Sequence, residues 1–250
     1  MQDQVISNFP PPPVEKNSWP WSQDRNLVSG ENYGIALPKV SIITPSLNQG
    51  KFIEETIRSV LLQSYPNLEY IVIDGASRDN TIDIIRKYSP WIKYWVSEPD
   101  HRQADAINKG FKKASGDILA WLNSDDTYNP DAIWNVVRLF AEHPGIKILY
   151  GEAWQIDENS HRIGPCRHIR NSIFTRYLLN LDPIVQPSAF WRHELYSQIG
   201  ELDNNLQWGF DWEFFIRAHQ EVELSYLPEF LANIRIHVQQ KTSMGGRAIP

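Results

Sequence analysis

Two adjacent carboxylates, Asp125 and Asp126, close the run Leu122-Asn123-Ser124-Asp125-Asp126. Neighbouring negative charges on a strand-to-loop turn repel each other. A hard divalent cation such as Mg2+ or Mn2+ removes that penalty and takes oxygen ligands, commonly one or two carboxylates together with substrate phosphates. The pair also suits a plainer role, a capping aspartate beside a solvated one ahead of Pro130. Three other polar runs have a similar make-up: Thr44-Pro-Ser46-Leu-Asn48, Asp74-Gly-Ala-Ser77-Arg-Asp79-Asn-Thr81 and Ser97-Glu-Pro-Asp100-His-Arg102. Any one alone is ordinary turn chemistry. Four in succession, each behind an apolar run, point to a shared site.

The elements that must carry these runs follow from hydrophobic periodicity. Val40–Ser46, Tyr70–Asp74, Ile92–Val96, Asp117–Leu122 and Ile146–Tyr150 have the make-up of strands. Between them, Ile53, Ile57, Val60 and Leu61 share a helical face, Thr81–Tyr88 forms a second helix, and Ile107, Phe111 and Ala114 stripe a third. Asn129 and Pro130 give an N-cap and a first-turn proline for a fourth helix, which carries Ile133, Val136, Val137 and Phe140. Strand–helix alternation builds a doubly wound parallel sheet. Such sheets bind ligands beyond the carboxyl ends of their strands, where strand order reverses, and all four polar runs lie on that edge.

After Trp154 the alternation fails. Gln186–Trp191 has the pattern of a strand, His193–Ile199 of a short helix and Asp211–Gln220 of a firmer one, with short strands at Leu224–Leu227 and Ile234–Val238. Asp211, Phe214, Phe215 and Ala218 share a face, which sets the Asp211 carboxylate at the polar end of an apolar stripe. A helix N-cap is the simpler role for Asp211. Glu213 lies on another face.

The bulk composition narrows the classes. A chain of 250 residues holds one main core with a small appendage. Its net charge of −6 lacks the basic footprint of a nucleic-acid binder, yet leaves nucleotide binding open, because a divalent cation can carry phosphates to an acidic site. Ten each of Trp, Tyr and Phe suit stacking on sugar rings as well as core packing. Cys166 is the single cysteine, so no internal disulfide forms and a reducing cytoplasm fits. With no secretory signal and no apolar run of membrane-spanning length, the expected protein is soluble, or at most peripheral at the inner membrane face. Residues 1–38 form a Pro-rich extension whose Trp19 and Trp21 are expected to pack.

The runs TPSLNQGKFIEETIRSVLLQSYPNLEYIVIDGASRDNT, SEPDHRQADAINKG and GDILAWLNSDD together resemble the family 2 glycosyltransferases with the GT-A fold, over about Pro38 to Val238. The resemblance implies an α/β fold in which a mixed, mainly parallel sheet is flanked by helices. It implies a donor-binding half at residues 39–157 and an acceptor-binding half at residues 158–250. Thr44, Ser46 and Asp74 match nucleotide-pocket positions, with Gly75 where a second acid is usual, and Asp105 and Lys109 match polar positions near the nucleotide. Asp125 would face the ribose or sugar, Asp126 would bind Mn2+ or Mg2+, and His237 would complete the metal site. Asp211 matches the catalytic base.

The activity so implied is a metal-dependent transfer of a sugar from a nucleotide-diphosphate sugar to a hydroxyl of a glycan or lipid-linked acceptor, in cell-surface polysaccharide or glycan synthesis. A single in-line displacement would invert the anomeric configuration, and Gln186-Pro-Ser would help shape the acceptor pocket. Two other readings remain. A degenerate domain of this fold would act as a carbohydrate-binding scaffold. A sugar-nucleotide pyrophosphorylase would open with a Gly-rich, basic loop, where this chain has Thr-Pro-Ser-Leu-Asn-Gln-Gly.

Overall fold

In the computed structural model, which describes residues 9–22, 37–166, 184–238 and 240, the chain alternates as its periodicity predicts through its first half. β1 (Val40–Ser46), α1 (Ile53–Leu61), β2 (Leu68–Asp74), α2 (Thr81–Tyr88), β3 (Tyr94–Ser97), α3 (Gln103–Lys113) and β4 (Ile118–Trp121) come first. A two-residue β5 (Thr127–Tyr128), α4 (Ala132–Glu142), β6 (Ile148–Ile156) and β7 (Arg162–Pro165) follow. β8 (Ala189–Arg192), α5 (His193–Ile199), α6 (Phe210–Glu221) and β9 (Ser225–Arg235) complete the described part.

Among the described residues the strands form one mixed sheet in the order β3-β2-β1-β4-β8-β6-β9-β5, with β7 on β6. The longer ladders are parallel: β1 with β2 and β4, β2 with β3, and β6 with β9. Period-two alternation divides the strand side chains between two cores. Val40, Ile42, Tyr70, Val72, Ile118 and Ala120 join one apolar cluster with Ile57 of α1, Ile85 of α2 and Val137 of α4. Ile43, Ile71, Ile73, Leu119 and Trp121 join the other with Ile107 of α3, Leu195 of α5 and Phe214 of α6. The sheet is therefore buried on both faces, as expected where crossover helices cover it.

Four expectations change. The fifth strand does not extend the parallel series, because β8 lies between β4 and β6 and runs antiparallel to both. Gln186–Ser188 forms a 3-10 turn and the strand begins only at Ala189; Pro187 has no N–H to give to a ladder. The two short strands near the end are one strand, β9, whose register against β6 shifts near Glu152. Asn129 does not cap α4. Its side-chain amide donates to the Phe230 carbonyl at 2.9 Å, and the helix starts at Ala132 after Asp131.

The N-terminal segment closes over α1. Arg58 is fully buried, and its guanidinium donates to the carbonyls of Pro10 at 2.8 Å and Pro20 at 3.1 Å and to the Tyr88 hydroxyl at 3.0 Å. It also lies over the rings of Phe9 and Trp21. Trp19 donates its indole N–H to the Tyr128 carbonyl at 2.8 Å, tying the same segment to β5. Among the described residues no helix is long and apolar enough to cross a membrane.

Candidate active site

The loop after β4 is pinned from three directions. Thr56 of α1 donates to the Asp126 carbonyl at 2.7 Å. The Arg235 backbone N–H, at the end of β9, donates to Asp126 Oδ1 at 3.0 Å, and the Asn123 amide donates to Oδ2 at 3.2 Å. Arg235, itself fully buried, gives its Nε–H to the Asp125 carbonyl at 2.9 Å and pairs with Glu55 at 3.2 Å. Asp126 is buried. That burial holds its carboxyl well above the usual carboxylate range, the Asp125 charge pushes the same way, and the Arg235 N–H opposes both.

Two residues past β9, His237 returns to this loop. Its Nε2 lies 3.0 Å from Asp125 Oδ2, and its ring packs against Phe52 with centroids 4.7 Å apart. His237 thus meets Asp125, the neighbour of the acid with which the resemblance groups it in a metal site. Both Asp126 oxygens accept hydrogen bonds, and Asp125 keeps 17% of its side chain exposed.

Asp211 lies in the first turn of α6. The residue before the helix is Gly209 at φ +67°, a left-handed conformation that glycine adopts without strain. Asp211 is therefore inside the helix and not its cap; its Oδ1 accepts from the Trp212 N–H at 3.0 Å. Phe214, Phe215 and Ala218 are buried beneath it. Glu213 is engaged by Arg217, with Nη2 donating to Oε2 at 2.9 Å.

Asn123, Asp126 and Asp211 line a single cleft of about 500 Å3 together with Gln186, Pro187 and Gln155. Gln186 is buried, donates to the Trp121 carbonyl at 2.9 Å and accepts from Asn123 at 3.4 Å. The acidic loop and the α6 carboxylate therefore face one space although they are distant in sequence.

The other half of the sheet edge is arranged differently. Thr44 is buried and its hydroxyl accepts from Tyr70 at 3.1 Å. Ser46 is also buried, and its hydroxyl has no hydrogen-bond partner among the described residues. Asp74 is fully buried and accepts from the Ser77 N–H at 2.9 Å and from the hydroxyls of Ser77 at 2.5 Å and Ser97 at 2.6 Å. Asp105 accepts from the His101 N–H at 3.1 Å and pairs with Lys109 at 3.3 Å, while Lys109 also pairs with Glu98 at 3.3 Å. Asp105 and Lys109 thus brace the loop after β3. Of the residues that shape the site, Asn123 and Arg235 were not singled out as candidates. Asn123 stood in plain view within the Asn-Ser-Asp-Asp run, whereas Arg235 has no local signal.

A mixed sheet of this order, with an acidic loop after its fourth strand and a cleft at the strand ends, defines a GT-A glycosyltransferase. The chain belongs to glycosyl transferase family 2, whose family model matches residues 41–199. An uncharacterized glycosyltransferase of Mycobacterium tuberculosis is 31% identical over 186 residues, 72% of this chain and 69% of the relative. Among solved structures, Staphylococcus aureus TarS 1–349 in complex with UDP-GlcNAc is similar at a TM-score of 0.67 and 21% identity, over 82% of this chain and 60% of that one. The mannosyltransferase PcManGT from Pyrobaculum calidifontis, in complex with GDP-Man and Mn2+, is similar at a TM-score of 0.63 and 19% identity, over 85% of this chain and 60% of that one. This chain spans about three-fifths of each of those two chains, and likeness at these identities shows the shared fold.

Proposed function

We propose that the chain is an inverting transferase that moves a sugar from a nucleotide-diphosphate sugar to a hydroxyl of a glycan or lipid-linked acceptor, with a divalent cation at the acidic loop of Asp125 and Asp126 and at His237. The observation that carries this reading is the common cleft of the acidic loop and Asp211. The donor set suits a hard cation. Asp125 Oδ2 and His237 Nε2 stand 3.0 Å apart and, with the acidic loop, would hold such a cation. Mg2+ and Mn2+ commonly take one or two protein carboxylates together with substrate phosphates. PcManGT, which shares the fold, was solved with Mn2+.

When bound, such a cation neutralises the charge that develops on a departing diphosphate. Asp126 orients the loop by gripping β9 through the Arg235 N–H. Asp211 takes the acceptor hydroxyl's proton as that oxygen attacks, a contribution of about 10²–10⁴-fold. Attack from the face opposite the leaving group, in one displacement, inverts the anomeric carbon. Gln186 and Pro187 wall the cleft against water that would otherwise hydrolyse the donor.

Donor hydrolysis over a panel of nucleotide sugars, with Mn2+, Mg2+ or a chelator present, tests the proposal. Cation-dependent turnover of a nucleoside-diphosphate sugar is expected. A preference for nucleoside triphosphate with sugar phosphate would identify a pyrophosphorylase instead. Sugar binding with no cation-dependent nucleotide binding would identify a scaffold.

A further inference from the structure

The cleft has two unlike sides. Asn123, Asp126, Gln186 and Asp211 make one of them polar, and its amides are already engaged, Gln186 with the Trp121 carbonyl and Asn123 with Asp126. The other side is apolar, built from Pro165, Cys166, Ile184, Val185 and Ile234. One polar side chain interrupts it. Gln155 of β6 lines the cleft among these residues, half-buried, and its carboxamide has no hydrogen-bond partner among the described residues.

Gln155 is firmly placed. Its strand is paired on both sides there, with Ile234 of β9 and with Gly164 of β7. Just before it, the Ala153 carbonyl accepts from the Cys166 N–H at 2.8 Å. Period-two alternation puts Gln155 on the same face of β6 as Ala153, whose buried cluster also takes in Cys166 and Val185. The carboxamide therefore stands at the rim of a core, facing the cleft.

The space beside it is kept open. Directly opposed residues of an antiparallel pair hold their side chains on one face, close together, and the residue opposed to Gln155 is Gly164. A Cβ built on Gly164 meets nothing within 4 Å, and Gly164 does not have a positive φ, so neither packing nor backbone calls for glycine there. Immediately beyond, the register skips Ile163, and a bulge of this kind bends an edge strand and re-aims the side chains next to it. The result is a vacant place next to an unengaged carboxamide, within a cleft of about 500 Å3, a volume typical of small-ligand sites.

We propose that Gln155 is a specificity-determining residue for the acceptor, its carboxamide exchanging hydrogen bonds with a ring hydroxyl of a pyranose seated in the space that Gly164 leaves open. This rests on the transferase reading above and deepens it, naming the acceptor group in the cleft as a sugar. A sugar ring offers C–H faces to an apolar surface, and its hydroxyls both donate and accept, as a carboxamide does. β6 stands three places from β1 in the sheet, which sets this side of the cleft apart from the strand ends proposed for the nucleotide.

Transfer to the p-nitrophenyl glycosides of glucose, galactose, mannose and N-acetylglucosamine tests this, with Mn2+ and the nucleotide sugar that the hydrolysis panel selects. On the best of these acceptors, Gln155→Leu should raise the acceptor KM by about 10-fold, the scale of a hydrogen bond or two to a neutral group, with the donor KM unchanged. Gly164→Leu, which fills the vacant place from the opposed strand, should raise it as well. Monodeoxy forms of that glycoside locate the bond: on the one lacking the bonded hydroxyl, Gln155→Leu should cost nothing. An unchanged acceptor KM in both variants, an equal rise in donor KM, an equal Gln155→Leu cost on every deoxy form, or transfer to none of the glycosides overturns the role of Gln155 and leaves the transferase reading intact. A full chain that turns over no nucleotide sugar overturns both.

Discussion

His237 Nε2 lies 3.0 Å from Asp125 Oδ2, across a sequence separation of 112 residues. The contact exists because Arg235, two residues earlier, is locked on both sides of the acidic loop: its backbone N–H on the Asp126 carboxylate and its side chain on the Asp125 carbonyl. The adjacent acids thus have different surroundings: Asp126 accepts from the Arg235 N–H and lines the cleft, and Asp125 faces the imidazole.

That division predicts which acid governs the cation. Asp125→Ala and His237→Ala should each weaken Mn2+-dependent nucleotide binding by about 100-fold or more, since even outer-shell changes at metal sites cost 10–100-fold. Asp126→Asn keeps an acceptor for the Arg235 N–H and should stay within about 10-fold of the unmodified protein by the same scale. Titrating UDP or GDP against Mn2+ concentration measures all three. If Asp126→Asn abolished the cation dependence and Asp125→Ala spared it, the two roles would be the reverse.

Asp211 should separate binding from chemistry. Asp211→Asn preserves size and the bond to the Trp212 N–H, so donor affinity should change little while transfer falls about 10²–10⁴-fold. Paired donor titrations and product assays read the split. Transfer at the original rate would remove Asp211 from the base role, and Glu213, tied up by Arg217, would be a poor replacement.

Much of the architecture was legible because alternation and helical stripes are local signals: β1, β2 and β4 send successive side chains to opposite cores, and α1 and α2 fall where Ile57 and Ile85 put them. The insertion of β8 between β4 and β6 was not legible, because strand order in a mixed sheet is set by long-range packing. The acidic run was visible in composition, but its division of labour was not. That Asp126 is buried and Asp125 is not depends on β9 arriving alongside, which no spacing within the run encodes. Gly75 read as a missing acid; only the folded loop shows a carboxylate over it.

Arg58 should prove a stability residue. It is a buried cation whose partners are carbonyls of Pro10 and Pro20 and the Tyr88 hydroxyl. Arg58→Met fills part of the space but leaves buried carbonyls unpaired, at about 1–3 kcal/mol for each group. Urea unfolding should show a loss on the order of 3 kcal/mol, with faster proteolysis near residue 20. An unchanged midpoint would mean that the N-terminal segment adds nothing to the fold.

Asp100 should cost stability at neutral pH. Burial raises its carboxyl above the ordinary value; Lys109 opposes this, Asp105 and Asp74 add to it, and His101 opposes it again. A raised folded value favours the neutral acid. The group therefore imposes no penalty below the unfolded carboxylate value near ~3.9, and destabilises the fold as pH rises through the raised value. Asp100→Asn removes the charge, so the variant should melt above the unmodified protein at neutral pH. That difference should shrink towards zero as pH approaches about 4, where both side chains are neutral. Melting curves across that range read the effect. A variant no more stable than the unmodified protein at neutral pH would mean that the Lys109 and His101 charges outweigh the burial of Asp100.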